Sequence, residues 1–241
     1  MKTATEKQRT GKTIEVLPAG HHAKFIRIDQ GNKYYFEPNT PVKKKKKHGI
    51  KPTSDYIDFA IATAEGNALL WHSKTPQLGF YIILSINSGM RFSDAMRCTF
   101  GDFTGKATGD YLSIVEQKTG KRREIQLNDN IIQSFAHLVN RYKAGRARIQ
   151  PEQPIFISQK GMIYANSTIN RALKKVFKGV APNISAHSLR KAFGRRVYEM
   201  AGKNEHSLVL LSQIFGHSNI GITRRYLGLR KQEISNIYLN L

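Results

Sequence analysis

The sequence predicts an α+β fold that is mostly α-helical, with a small antiparallel sheet at one edge of a helical body. Two patterns lead to this prediction. From residue 53 to the C-terminus, most segments have helical periodicity and begin with capping residues, whereas residues 111–127 alternate with a period of two around a glycine turn. Because 40% of the 241 residues are hydrophobic, the chain can form one ordinary domain with a sizeable core, or one domain plus an arm.

The first 52 residues are predicted to form a basic, partly flexible N-terminal arm with little core. Residues 24–28 and 34–36 alternate well enough for a small hairpin that turns at residues 30–32. The run Lys43, Lys44, Lys45, Lys46 and Lys47 follows. It is either a solvated linker or a strap that contacts phosphates, and the sequence does not separate these alternatives.

Residues 53–241 are predicted to form the folded domain, with a C-terminal helix over 230–241. Ser54 and Asp55 are expected to cap a first helix through about Glu65, and Thr75-Pro76 to open a second through about Asn87. A short third helix follows Ser93, and strands over 111–115 and 123–127 flank the turn at 118–121. Further helices are expected near residues 128–144, 166–178, 188–201, 206–215, 219–227 and 230–239, with a short extended piece over 154–157.

The charge of the chain points to a polyanionic partner. Its 39 Lys and Arg against 17 Asp and Glu give a formal net charge of +22. Residues 1–55 hold 13 basic and 5 acidic groups, so the excess is not confined to the arm. A basic folded domain indicates that the domain itself holds nucleic acid, which we favour over an acidic membrane or an acidic protein.

Other features narrow the class of protein. No window reaches the 18 or so apolar residues of a membrane span, and the N-terminus is polar, so we expect a cytoplasmic, nucleoid-associated protein. The single cysteine, Cys98, excludes an internal disulfide and a cysteine-rich zinc site. We therefore expect ordinary packing to stabilise the fold.

Four short segments, far apart in the sequence, each present a cation or a nucleophile at a helix end or turn. They carry Arg91 after Gly89, Lys118 in the hairpin turn, His187 and Arg190 three residues apart, and finally His217 after Gly216 with Tyr226 nine residues on. The spacing of three residues puts the His187 imidazole and the Arg190 guanidinium on one face of a helix start. Folding of such segments onto one another would assemble a phosphoryl-transfer pocket.

These segments together resemble the tyrosine recombinase, or phage integrase, family. Its pattern is Arg, a hairpin Lys, His-x-x-Arg, Gly-His and a Tyr nine positions later, and all six positions match over roughly residues 54–241. The resemblance implies the fold of the family's catalytic domain and DNA cleavage and rejoining through a phosphotyrosyl intermediate. Most members also carry a helical domain that clamps the far side of the duplex. Here only about 50 residues precede the catalytic region, so the arm or a partner protein would substitute.

The chemistry explains the residue types. Two planar guanidiniums, here Arg91 and Arg190, suit the charge that grows on the nonbridging oxygens of a phosphodiester. Attack by Tyr226 needs proton removal, and a phosphotyrosyl ester preserves the bond energy, so neither ATP nor a metal is implied. The resemblance implies that His187 is an acid or base near Tyr226, that Lys118 protonates the leaving 5′ oxygen, and that His217 bonds the phosphate or buttresses the pocket.

Several alternatives stay open. Taken singly, each of these residues has an ordinary structural explanation, such as a helix cap or a packed aromatic side chain. Lys121 lies across the same turn as Lys118, so either lysine could reach the groove; with Arg122 it is also a candidate DNA contact. A type IB topoisomerase-like nicking enzyme and a catalytically silent DNA-binding protein are the rival functions.

The end of the chain bears on assembly. Ile234, Ile237, Tyr238 and Leu241 recur at spacings of three and four residues, which predicts a short amphipathic helix. In the family such a tail links protomers in a ring, which implies a homotetramer on double-stranded DNA. The alternative is that the helix packs on its own domain.

Overall fold

The structure is a computed structural model that describes residues 23–27, 34–38, 53–158 and 160–241. The elements in chain order are β1 (Ala23–Arg27), β2 (Tyr34–Pro38), α1 (Phe59–His72), α2 (Pro76–Ser88), α3 (Phe92–Ala95), β3 (Tyr111–Val115), β4 (Arg122–Gln126), α4 (Asp129–Ala144), α5 (Asn166–Val176), α6 (Ala186–Met200), α7 (Glu205–Phe215), α8 (Ile220–Leu227) and α9 (Leu229–Leu239). The predicted mostly helical fold with small antiparallel pairs of strands is therefore confirmed.

Helix α2 is the centre of the main core. Nearly all of its side chains are buried, and the helix packs against α1, α4 and α6. Phe80 and Tyr81 are fully enclosed and contact other aromatic rings of the core, including that of Phe156. Because α2 is held from several sides, its C-terminal end is a rigid platform for the loop that follows it.

The start of α1 differs from the prediction. Asp58 caps the helix, accepting hydrogen bonds from the amides of Ala60 and Ile61 over 2.8 and 3.1 Å. Ser54 and Asp55, the expected caps, are engaged elsewhere: the Ser54 carbonyl oxygen accepts from Lys191 Nζ over 2.6 Å, and Asp55 bonds the backbone of the loop before α6. The helix also runs past Glu65 to His72, because Gly66 is buried against Ile83 of α2 and does not end the helix.

The expected hairpins are both present. Strands β3 and β4 pair antiparallel from Tyr111 opposite Gln126 to Val115 opposite Arg122, so β4 begins one residue before the predicted position. Strands β1 and β2 also pair antiparallel, whereas their connection and the run Lys43 to Lys47 lie outside the described residues. The expected extended piece over 154–157 is not a strand: its ends make isolated bridges to two different segments, at Thr99 and Ile163.

The last three helices form a smaller apolar cluster beside the main core. Leu208, Leu211, Phe215, Leu227 and Leu229 are its buried members, and side chains of α6 pack against them. Helix α6 thus joins the two clusters, and the ends of α2 and α7 approach each other beside it. Across the ranges that the structure describes, no helix is both long and apolar enough to cross a membrane.

Candidate active site

Helices α2 and α7 each end at a glycine, directly before the segments that carry Arg91 and His217. Gly89 ends α2 with φ +59°, and Gly216 ends α7 with φ +65°, both in the left-handed region that favours glycine. A Cβ atom at Gly89 would also stand 2.4 Å from the Phe193 ring. Arg91 follows the first turn and His217 the second, so these turns fix the backbone positions of the two residues.

Arg91 and Arg190 meet at one backbone oxygen. Their Nη2 atoms donate to the Phe215 carbonyl oxygen, over 3.0 Å from Arg91 and 3.2 Å from Arg190. Arg190 also donates through Nη1 to the Gly89 carbonyl oxygen, and its guanidinium carbon lies 4.4 Å from the centre of the Phe215 ring. The C-terminal carbonyl of α7, which helix geometry leaves without an intrahelical partner, thus brings the two guanidiniums together.

The electrostatics of this cluster favour an anion. Arg190 is 4% exposed, and its burial lowers its pKa to about 10; Tyr226 opposes this shift and Arg91 adds to it. At neutral pH the Arg190 guanidinium nevertheless stays charged. Arg190 is buried and Arg91 is partly exposed, and because these two cations repel each other, an oxyanion placed between them would be stabilised.

Tyr226 lies beside this pair. Its ring makes edge contacts with Phe215 and His217, with centroids 5.3 and 5.4 Å away. The hydroxyl is buried, and within the described part of the chain it makes no hydrogen bond of good geometry. Burial raises the pKa of Tyr226 to about 12, although the charges of Arg190 and Arg91 oppose the shift. The phenol is therefore protonated at neutral pH, and attack requires a proton acceptor.

The His217 side chain is hydrogen-bonded to Thr223. The imidazole Nδ1 lies 2.8 Å from the hydroxyl oxygen of Thr223, a fully buried residue on α8 three positions before Tyr226. Burial lowers the pKa of His217, and the charges of Arg190, Arg91 and Lys118 add to the shift. Thr223 was not among the predicted site residues; its spacing from Tyr226, which puts both on one helix face, was the available signal.

His187 and Lys118 are the two exposed members of the predicted catalytic set. His187 is in the first turn of α6, where its backbone amide donates to the Ser185 hydroxyl over 3.2 Å. Its side chain reaches solvent, yet partial loss of hydration lowers its pKa, and nearby cations, Arg190 first and Lys118 among them, add to this. Lys118 is exposed in the hairpin turn. Its charge adds to the lowering of the pKa values of His187 and His217.

The hairpin contributes two further charged residues. Glu116 is 6% exposed, and its Oε1 lies 2.5 Å from Arg91 Nη1 and 3.9 Å from Arg123 Nη1. Arg123 also donates to the Ser88 carbonyl oxygen over 2.8 Å. Sequence reasoning missed both residues. The available signal was strand alternation, since Glu116 shares the face of buried Leu112, and Arg123 shares that of buried Ile125.

The candidate DNA contacts on the hairpin face elsewhere. Lys121 is exposed, and so is Arg122, which bonds the Ser113 hydroxyl over 2.9 Å and lies 3.7 Å from Glu124. Strand alternation turns Arg122 to the opposite side of β4 from Arg123. Neither Lys121 nor Arg122 belongs to the buried cluster, so their contact with DNA stays a prediction.

A second basic surface lies on α5, which the sequence reasoning did not single out. Between Glu152 and Glu199 the sequence has no acidic residue. Helical spacing puts three exposed cations of α5 opposite the buried Ile169 and Leu173, and a fourth exposed cation follows in the turn after the helix: Arg171, Lys174, Lys175 and, in the turn, Lys178. We call these four residues the α5 stripe.

Among the described residues, no group of three His, Cys, Asp or Glu side chains could hold a metal ion.

Comparison with known proteins gives consistent matches. The profile of the phage integrase family matches residues 60–233. The chain is 28% identical over 160 residues to the tyrosine recombinase XerC of Rhizobium meliloti, covering 65% of this chain and 47% of XerC. It is 28% identical over 153 residues to the probable integrase/recombinase YoeC of Bacillus subtilis, covering 62% of this chain and 76% of YoeC.

A solved structure matches as well. The XerH recombinase bound to its palindromic difH substrate superposes with a TM-score of 0.58 at 19% identity, covering 78% of this chain and 53% of that chain. The predicted fold, that of a tyrosine recombinase catalytic domain, is thereby confirmed. The chain spans about half the length of the XerC relative that it matches.

Proposed function

The chain belongs to the phage integrase family, and we propose that it is a site-specific recombinase that cleaves and rejoins double-stranded DNA. The observation that carries the proposal is the convergence of Arg91 and Arg190 on one oxygen atom, with the Tyr226 ring packed beside them. In the proposed complex a nonbridging phosphate oxygen would replace the Phe215 carbonyl oxygen as the shared acceptor of the two guanidiniums. A phosphate carries more negative charge than a carbonyl and would compete well for both guanidiniums.

In the proposed reaction, the Tyr226 hydroxyl oxygen attacks the phosphorus, and the bond from phosphorus to the 5′ oxygen breaks. The phenol proton passes to a base, for which His187 is the candidate because its lowered pKa keeps it neutral at pH 7. Lys118, in the exposed turn, gives a proton to the leaving 5′ oxygen. The two guanidiniums stabilise the charge on the nonbridging oxygens, and His217 supports the pocket from its Thr223 contact.

Rejoining is the reverse of cleavage. A 5′ hydroxyl attacks the phosphotyrosyl bond, the Tyr226 oxygen leaves, and the same two proton carriers exchange roles. Because the ester stores the energy of the broken bond, the proposal requires neither ATP nor a metal ion. Integration, excision, inversion and multimer resolution all use this chemistry.

DNA binding is proposed to rest on several basic surfaces. The α5 stripe and the exposed hairpin residues Lys121 and Arg122 belong to the described structure. The arm residues Lys43 to Lys47 would add phosphate contacts on a part of the duplex that the domain does not reach. A protein that works on chromosomal or plasmid DNA in this way would act in the cytoplasm, at the nucleoid.

Assembly is proposed to use the C-terminal helix. On α9 and just after it, Ile237, Tyr238, Leu239 and Leu241 are 61%, 76%, 80% and 97% exposed. These apolar side chains do not pack on their own domain, which supports contact with a neighbouring protomer in a tetramer on DNA. Removal of residues 235–241 would then leave cleavage at single sites intact and abolish strand exchange. Loss of folding on this truncation would instead favour packing within one chain.

Covalent trapping tests the proposal. Sheared DNA of the source genome is incubated with the protein, the reaction is stopped with SDS, and protein-linked fragments are captured and sequenced. We expect the fragments to share one sequence, joined through their 3′ phosphates to Tyr226. A yield no higher than that of Tyr226→Phe would leave only a silent DNA-binding protein.

A second assay separates the recombinase from a topoisomerase-like enzyme. A plasmid that carries two copies of the recovered sequence should yield deletion or inversion products. Relaxation of supercoils without recombinant products would support the topoisomerase-like alternative instead.

A further inference from the structure

We propose that Glu116 is a positioning residue that orients the guanidinium of Arg91 in the active site. This inference rests on the proposed function, because it concerns how Arg91 is made ready to bind the reacting phosphate. Glu116 would touch neither the DNA nor the reacting atoms. It would act through Arg91 alone.

The two arginines are held in different ways. Arg190 has two carbonyl partners, those of Gly89 and Phe215, and also lies over the Phe215 ring. Arg91 has only one of these carbonyls, that of Phe215. Glu116 supplies its second contact, at 2.5 Å from Nη1. Since a phosphate would displace the carbonyl at Nη2, Glu116 is the contact that keeps Arg91 in place during the exchange.

Glu116 is itself firmly held. Its Oε2 accepts a hydrogen bond from the Thr119 hydroxyl over 2.8 Å, and its backbone pairs with Lys121 across the turn. Burial alone would raise the pKa of Glu116, but the ion pair with Arg91, the hydrogen bond from Thr119 and the charge of Arg123 outweigh it, and the pKa is lowered. The carboxylate therefore stays ionised at neutral pH and provides a fixed anchor.

Orientation matters because Arg91 has a long side chain with many rotamers. Arg91 lies just before the short helix α3, where an unrestrained arginine side chain would sample several orientations. Fixing it in the orientation that binds phosphate would then cost conformational entropy. A misplacement of about 1 Å in a catalytic group can reduce a rate by about 100-fold. Glu116 also connects the hairpin to Arg91. The same residue therefore fixes the position of Arg91 relative to the turn that carries Lys118.

The test compares Glu116→Gln with a matched variant, Glu124→Gln. Both remove one carboxylate from the same hairpin, but Glu124 is exposed and forms its ion pair with the surface residue Arg122. We expect Glu116→Gln to cleave a suicide substrate at least about 10-fold more slowly, and Glu124→Gln to stay within about twofold of wild type. DNA affinity should be equal or higher in both, since each loses a negative charge. Unchanged or faster cleavage by Glu116→Gln would overturn the proposal.

A double-mutant cycle separates positioning from a general effect on the hairpin. In an Arg91→Lys background, adding Glu116→Gln should cost no more than about twofold, because the guanidinium that Glu116 orients is already absent. If the full loss recurs in that background, Glu116 acts by another route and the proposal fails. Covalent trapping by the wild-type protein in the same experiment shows whether the proposed function itself holds.

A readout on the DNA-free protein does not depend on catalysis. The ¹⁵N heteronuclear NOE of the arginine side chains reports their motion on the picosecond to nanosecond timescale. We expect Arg91 to lose rigidity in Glu116→Gln, while Arg190, which keeps its two carbonyls, does not change. Equal rigidity of Arg91 in both proteins would overturn the inference, whatever the activity of the enzyme.

Discussion

Arg91 and Arg190 donate to the same acceptor, the Phe215 carbonyl oxygen, over 3.0 and 3.2 Å. They come from residues 99 positions apart, so only the fold brings them together. The relationship depends on the left-handed turn at Gly216, which exposes the end of α7 to both side chains. In the proposed complex a phosphate oxygen would replace this carbonyl oxygen as the shared acceptor of two cations that the fold has already brought together.

Replacing either arginine by lysine should strongly reduce cleavage. An ammonium cannot donate from two nitrogens in a fixed plane, so Arg91→Lys and Arg190→Lys should each slow single-turnover cleavage by about 100- to 1000-fold. Arg148→Lys, at an exposed position, serves as the control. Near-normal cleavage by both site variants would show that the phosphate binds elsewhere.

Replacing Tyr226 by phenylalanine should abolish the covalent adduct while DNA affinity stays near the wild-type value. The hydroxyl is buried and makes no hydrogen bond of good geometry within the described residues, so its removal should leave the ring contacts with Phe215 and His217 in place. Adduct formation is followed by SDS gel electrophoresis and affinity by fluorescence anisotropy. An adduct that persists at the wild-type rate would mean that another residue is the nucleophile.

The sequence allowed most of the fold to be predicted, because caps, helix-ending glycines and periodicity are local signals. The exceptions arose where a residue typical of a helix cap forms a long-range hydrogen bond instead. Asp55 is a typical helix cap, yet its carboxylate accepts a hydrogen bond from the Asn183 amide, and Asp58 caps the helix instead. Contacts across more than 100 residues have no local signature that could reveal this.

The candidate site was predictable only as a set of separate motifs. Their order led to the prediction of Arg91, His187, Arg190 and their companions, but not of the groups that hold them. The Phe215 carbonyl oxygen belongs to the backbone, so no residue type in the sequence signals its role. Glu116 is one of many acidic residues, and its type alone does not single it out. Arg122 and Arg123 are equivalent in composition; the buried Ile125 is what assigns Arg123 to the inner face.

The two lysines of the hairpin turn can be separated by the leaving group. If Lys118 protonates the 5′ oxygen, Lys118→Ala should slow cleavage by about 100-fold or more. A substrate with a bridging 5′ sulfur should remove most of this loss, because a thiolate leaves without a proton. Lys121→Ala, assayed at saturating protein, should behave alike on both substrates. The reverse pattern would assign the role of general acid to Lys121.

The stability of the protein should fall on the acidic side in a way that depends on His187. Loss of hydration and the nearby cations lower its pKa in the folded state, so the unfolded chain binds a proton more readily. The free energy of unfolding therefore rises with pH up to the ordinary histidine value near 6.5 and is unaffected by this group above it.

Urea denaturation at several pH values checks this sign. Between about pH 5 and pH 7, the free energy of unfolding should change less steeply for His187→Gln than for wild type. His206→Gln, at an exposed position at the start of α7, is the matched control. A steeper change in His187→Gln would show that the folded state favours the protonated imidazole, against the direction of the shift.

The salt dependence of DNA binding should distinguish the α5 stripe from the lysine run of the arm. Each phosphate contact contributes roughly 0.9 to the slope of log affinity against log salt concentration. Alanine at all four stripe positions should therefore reduce the magnitude of the slope by up to about 3.6, and alanine at Lys43 to Lys47 by up to about 4.5. A lysine run that only links two parts of the chain would act at long range, so its effect should be small and confined to low ionic strength, where the Debye length is long.

A charge-matched variant decides whether these reductions reflect contact or net charge. It replaces four exposed cations from other parts of the domain by alanine: Lys74, Arg97, Lys143 and Arg148. This variant carries the same net charge as the stripe variant, so long-range attraction to DNA falls equally in both. If the stripe binds phosphates directly, its slope change should exceed that of the matched variant by at least about 2, because each phosphate that is no longer neutralised keeps its counterions. Equal changes in the two variants would mean that α5 contributes only to the overall field of the protein, and that the phosphate-binding residues lie on other surfaces.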